Sequence, residues 1–180
     1  MIAYAITDPS TLSFSTLDAD LARFVAKGAS MILYRDKNNP HYPSNALEFF
    51  KKAKKYPFEK ILLHGDFDLA SKLQVHGVHL RSDQLKDILQ AKQKHLFVVA
   101  STHTFYDAKL AQALGADMIT LSPIFYTPNK GKPIGIKTLQ EISATIDIPI
   151  LALGGILSTE QIDAVNLAGA KGFASIRFFS

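Results

Sequence analysis

Eight short apolar, β-branched runs alternate with seven stretches of helical period along the chain, and this alternation restricts the fold more than any other feature. The runs are 2–7, 30–35, 60–64, 77–80, 96–101, 117–121, 148–153 and 172–176; the helical stretches are 16–27, 44–55, 67–74, 83–92, 104–114, 136–145 and 158–167. Strand followed by helix throughout is the pattern of βα units around a parallel sheet. The helix-to-strand junctions 26–29, 113–116 and 167–170 share a Gly-Ala ending, with Gly28, Gly115 and Gly169 in the left-handed cap that stops a helix. Ser158 with Gln161 three residues on is a helix start. Pro43 is expected in a loop with most other prolines.

Eight strands favour a closed (β/α)8 TIM barrel, compact, over residues 1–180 as a single domain. An open doubly wound sheet is the alternative, because the pattern alone does not show closure. Barrels of this type typically need about 250 residues, so the eighth helix is expected to be truncated or absent.

Composition removes several classes of function. Without cysteine there is no disulfide framework, thiolate nucleophile or Cys-ligated metal. No apolar run approaches the roughly 18 residues that cross a bilayer, and no signal peptide is recognisable, so a cytoplasmic protein without a membrane partner is expected. Twenty Lys and Arg against 16 Asp and Glu give a net charge of +4. The basic cluster Lys51 to Lys55 reads as the solvated face of a helix. Stacking aromatics and nucleic-acid motifs are missing, so no nucleic-acid partner is expected. A mild positive balance suits an anionic small molecule.

In such a barrel the chemistry belongs at the C-terminal strand ends. Arg35 and Lys37, two apart after the second run, both point into the mouth with Asp36 turned away. Gly154-Gly155 after the seventh run and Ile176-Arg177 after the eighth fit a phosphate turn, where backbone N–H groups, a helix N-terminus and an arginine meet an anion. His103, two residues past Ser101, offers an imidazole, the natural proton-transfer group at neutral pH. His79 reads as a satisfied interior histidine, and His64, His79 and His103 lack local metal-site spacing.

Together these pieces resemble the thiamine phosphate synthase and TenI family. The resemblance runs in order through Tyr4 to Asp8, Tyr34-Arg35-Asp36-Lys37, Asp68-Leu69-Ala70, Gly77 to Leu80, Ser101 to Thr104, Ser122 to Lys130 and Leu151 to Ile156. It implies the barrel fold and two half-sites. Arg35, Lys37, Ser101 and Lys130 would face a diphosphate, while Thr127, Gly154, Gly155, Ile176 and Arg177 would face a thiazole phosphate. Asn129 joins the binding set from the loop 127–130. Synthases of the family join a pyrimidine diphosphate to a thiazole phosphate with Mg²⁺. TenI-type members instead aromatise a thiazole carboxylate phosphate by metal-free proton transfer, using a histidine at the place of His103.

The departures fall mainly on the metal side. Leu33 stands where the synthases have Gln, and His64-Gly65 where they have Asn-Asp. Gln84 takes the place of a second Asp, and Arg177 that of the usual Ser. Asp66 and Asp83 lie one residue away from the lost carboxylates. The expectation is a TenI-like thiazole tautomerase with a small phosphorylated thiazole as ligand, no cofactor and no metal residues. The alternatives are a divergent synthase, for which alone Mg²⁺ is expected, and a non-catalytic phosphate-binding relative. A homodimer is also expected, with Phe178 or Phe179 near its edge or under the N-terminal segment, because a missing eighth helix exposes apolar surface.

Overall fold

A computed structural model describes all residues from Met1 to Ser180. Eight parallel strands follow one another around a closed barrel in sequence order: β1 (Ile2–Ile6), β2 (Met31–Tyr34), β3 (Lys60–His64), β4 (Gly77–Leu80), β5 (Phe97–Thr102), β6 (Met118–Leu121), β7 (Ile150–Leu153) and β8 (Gly172–Ser175). Pairing of β1 with β8, from Ile2 opposite Gly172 to Ala5 opposite Ser175, closes the ring. The helices are α1 (Leu17–Ala26), α2 (Tyr42–Ala53), α3 (Phe67–Lys72), α4 (Ile88–Gln93), α5 (Phe105–Ala113), α6 (Gly135–Ser143) and α7 (Thr159–Leu167). None is long and apolar enough to cross a membrane.

Alternation along each strand divides the apolar residues into two cores. Tyr4, Ile6, Met31, Leu33, Leu62, Val99, Met118, Leu151 and Ala174 fill the barrel. Their sequence neighbours, such as Ala5, Ile32, Ile61 and Ile119, face outward into a larger layer under the helices. A packed interior leaves only the C-terminal mouth open to a ligand.

The expected helix 83–92 is not continuous. Ser82–Asp87 form a 3₁₀ segment that breaks at Gln84 (φ −112°, ψ 17°) before α4 begins. Gln84 turns its side chain back, accepting from Arg81 N and donating to Gly65 O at 2.9 Å, and the helix starts only beyond it. Pro43 is not in a loop but in the first turn of α2, where its missing N–H leaves no bond unmade. Ser158 caps α7 as expected, with Gln161 completing the reciprocal pair.

After β8 a 3₁₀ turn, Arg177–Phe179, stands where the other strands have a helix. Phe179 is fully buried, stacked on Phe173 of β8 at 5.7 Å and packed on Phe24 of α1 at 6.3 Å. Arg23 Nε donates to the Phe179 carbonyl at 3.2 Å and ties α1 to this turn. Phe179 is thus covered within the chain, between β8 and α1. A second copy is not needed to cover this ring.

Candidate active site

The mouth of the barrel holds a cavity of about 570 Å³ lined by residues from the ends of all eight strands. Arg35, Lys37, Ser101, His103, Thr127, Lys130, Gly154, Gly155, Ile176 and Arg177 all line it. Asn129, in the left-handed region at φ 61°, stands on the exposed outside of its loop and does not.

One side of the cavity is built from backbone. Gly154 (φ 100°) and Gly155 (φ 69°) turn the chain so that it packs on the loop after β6, with Phe125 N donating to Gly154 O at 3.0 Å. The N–H groups of Gly154, Gly155, Ile176 and Arg177 have no acceptor among the protein atoms. Four unspent donors on adjoining turns are what an anion requires. Ser175 holds the two turns together: its Oγ donates to Ile156 O at 3.0 Å and accepts from Phe178 N at 3.2 Å. The expected helix N-terminus is not part of this cradle. α7 begins four residues beyond Gly155, and Ser158 and Gln161 already cap it.

The other side is built from cations. Arg35, together with burial, Lys130 and Arg81, lowers the Lys37 ammonium from its ordinary value, as expected when positive groups crowd one pocket. Arg35 and Lys37 form no salt bridge, whereas Asp36 lines a separate groove and accepts from Asn39. Burial, with Arg35, Lys37 and Arg81 nearby, pushes His64 down to about 4, so it is neutral at physiological pH.

His103 lines the same cavity. Its Nδ1 is 2.8 Å from the Ser122 carbonyl, which can only accept, so Nδ1 carries the hydrogen. In the neutral ring Nε2 is then the basic nitrogen. His79 is an interior histidine, as expected: it is buried, with Tyr4 and Ser101 on its two nitrogens.

The sequence profile described as Thiamine monophosphate synthase matches residues 3–179. The chain belongs to the thiamine monophosphate synthase family. A protein of Aquifex aeolicus provisionally named thiamine-phosphate synthase 2 is 36% identical over 98% of this chain and 96% of its own length. The thiamine-phosphate synthase of Syntrophomonas wolfei is 28% identical over 96% of this chain and 85% of its own. Among solved structures, the thiamine phosphate pyrophosphorylase of Pyrococcus furiosus superposes with a TM-score of 0.83 at 25% identity, covering 97% of this chain and 85% of that one.

The two positions at which the sequence resemblance leads one to expect Mg²⁺ carboxylates are Gly65 and Gln84, and the structure brings them into contact through the Gln84 Nε2 to Gly65 O bond. Neither bears a charge. Arg81 lies over them, its Nη1 only 3.1 Å from where a Gly65 Cβ would be. Asp83 is engaged on both oxygens by Arg81, at 2.9 and 3.2 Å, which holds its carboxyl below the usual range. Asp66 caps α3 by accepting from Leu69 N at 2.8 Å. No three His, Asp or Glu side chains converge as a metal-binding group. Mg²⁺ is usually held by one or two carboxylates, and the uncharged Gly65 and Gln84, with the Arg81 guanidinium beside them, do not fit that ion. Arg81 escaped the sequence reading, although its position immediately after β4 is the strand-end signal used for Arg35.

Proposed function

We infer that this family member is a metal-independent tautomerase acting on a phosphorylated thiazole carboxylate, with His103 as acid and base. The observation that carries this reading is the uncharged Gly65–Gln84 pair under Arg81, beside a complete set of phosphate-turn donors. Backbone N–H groups of Gly154, Gly155, Ile176 and Arg177 hold the phosphate, with Thr127 alongside. Arg35 and Lys37, with Ser101 and Lys130, take the carboxylate. His103 Nε2 removes a proton from one substrate atom and returns one to another, so that no proton, electron or group is gained or lost overall. Its Nδ1–H bond to Ser122 O fixes the ring and supports the imidazolium formed midway. Purified protein should accelerate aromatisation of the thiazole carboxylate phosphate, and His103→Ala should abolish that acceleration. An unchanged rate with wild-type protein, or full activity in His103→Ala, contradicts the assignment.

A second reading, a divergent synthase, is supported by the curated relatives' names and by the clustering of Arg35, Lys37, Arg81 and Lys130, which also suits a diphosphate. Formation of thiamine phosphate from the pyrimidine diphosphate and the thiazole phosphate would establish it. Absence of that product at high protein concentration excludes it.

A further inference from the structure

A line of three polar groups runs through the packed barrel to the floor of the cavity. Tyr4 Oη lies 3.1 Å from His79 Nδ1, and His79 Nε2 lies 2.9 Å from Ser101 Oγ. The two rings stack at 5.7 Å with planes 22° apart. Tyr4 is completely buried and His79 nearly so, while Ser101 is half-buried at the cavity wall. Three strands, β1, β4 and β5, supply one residue each.

Hydrogen counting sets the direction of this line. Burial, with His64 and Arg35 nearby, pushes the His79 imidazole down from 6.5 to about 3, so the ring is neutral and carries one N–H. Burial also raises Tyr4 far above the ordinary phenol value, so it keeps its hydrogen. Tyr4 Oη has no partner other than Nδ1. Were the ring hydrogen on Nδ1, the buried phenol hydrogen would have no acceptor, an arrangement native interiors avoid. With the hydrogen on Nε2 every group is satisfied: Tyr4 donates to Nδ1, and Nε2–H donates to Ser101 Oγ. The Ser101 hydrogen then has no use inside the protein. Thr120, the register neighbour of Ser101 on β6, does not take it; its own buried hydroxyl is unpartnered.

We propose that Tyr4 and His79 are positioning residues that fix Ser101 as a hydrogen-bond donor into the cavity, directed at a phosphate or carboxylate oxygen. The inference rests on the cavity being an anion site and is independent of which reaction follows. The polarity of Ser101 is set from within the barrel; Arg35 and Lys37 add charge to the same region but not this direction.

Nitrogen NMR of histidine-labelled native protein tests the tautomer directly. The His79 signals, assigned by their loss in folded His79→Gln, should show a protonated Nε2 and an unprotonated Nδ1; a protonated Nδ1 in the native protein overturns the proposal. In a second arm, inorganic pyrophosphate is titrated calorimetrically into four proteins. Ser101→Ala should weaken binding about tenfold in the native background, the worth of a hydrogen bond to a charged group, but less than about twofold in Tyr4→Phe, where the donor is no longer fixed. Equal losses in both backgrounds, with Tyr4→Phe still folded by circular dichroism, overturn the positioning role. Failure of pyrophosphate to bind native protein overturns the anion site instead. Expected results in both arms without thiazole turnover would leave this proposal standing and the tautomerase reading rejected.

Discussion

Replacing Gly154 by alanine should harm the protein more than replacing Gly28, although both put a side chain into the left-handed region, at φ 100° and 83°. At Gly28 an added Cβ meets nothing within 4 Å. That substitution costs the backbone term alone, about 1–2 kcal/mol. At Gly154 the Cβ would stand 2.8 Å from Pro123 Cα, 2.9 Å from Pro123 Cβ and 3.2 Å from Thr127 Oγ1. The Pro123 atoms cannot swing aside, because the next two residues are bonded to the same turn through Ile124 N to Leu153 O at 2.9 Å and Phe125 N to Gly154 O at 3.0 Å. Overpacking of this kind adds about 1–3 kcal/mol, for a total of about 2–5. At about 2–4 °C per kcal/mol for a chain of this size, Tm should fall by roughly 4–20 °C in Gly154→Ala and roughly 2–8 °C in Gly28→Ala. Urea unfolding of the two variants side by side isolates the contact term, since the backbone term is common to both. Moving the 123–127 loop also displaces Thr127, so inorganic phosphate should bind Gly154→Ala more weakly than native protein and bind Gly28→Ala normally. Equal stability losses would refute the tight docking of the two loops. Unaltered phosphate affinity in Gly154→Ala would refute the turn as an anion cradle.

His103→Asn should lower thiazole turnover by about 10²- to 10⁴-fold, with unchanged thermal stability because His103 is exposed; a small kinetic effect would reassign the proton-transfer group. Phe179→Ala should cost about 3–5 kcal/mol, as expected for emptying a buried aromatic site, and a loss under about 1 kcal/mol by urea unfolding would show that the C-terminal turn is not part of the core. Stability should fall on acidification between pH 6.5 and about 3, because His64, at about 4, and His79, at about 3, are held below the ordinary imidazole value and the unfolded chain takes up protons first. For buried His79 the full effect is on the order of 5 kcal/mol, and urea unfolding showing no slope over this window would contradict neutral interior histidines.

Most of the barrel was legible because strand and helix periods are local properties. The inward set of Tyr4 and Ile6, or Met31 and Leu33, follows from alternation alone. Polar residues at strand ends pointed to the mouth for the same reason, and Arg35, Lys37, Ser101 and His103 meet there. What was not legible depends on partners far away in sequence. Gln84 breaks a helix to reach Gly65, 19 residues earlier, and Tyr4 meets His79 across 75 residues. Asn129 was included from the pattern of its loop, but a left-handed backbone at that residue sets it outside the cavity. The sequence left open whether Phe179 is covered by a second copy or by the N-terminal segment, because its cover, Phe24, lies on the first helix, far away in sequence.

The central claim is that Arg81 and the Gly65–Gln84 pair have replaced a metal site, leaving proton transfer at His103. The most direct measurement follows two products with one protein preparation, aromatised thiazole phosphate and thiamine phosphate, each in excess chelator and in millimolar Mg²⁺. The account predicts thiazole aromatisation at the same rate in both conditions and no thiamine phosphate in either. Mg²⁺-dependent thiamine phosphate formation without aromatisation would contradict it.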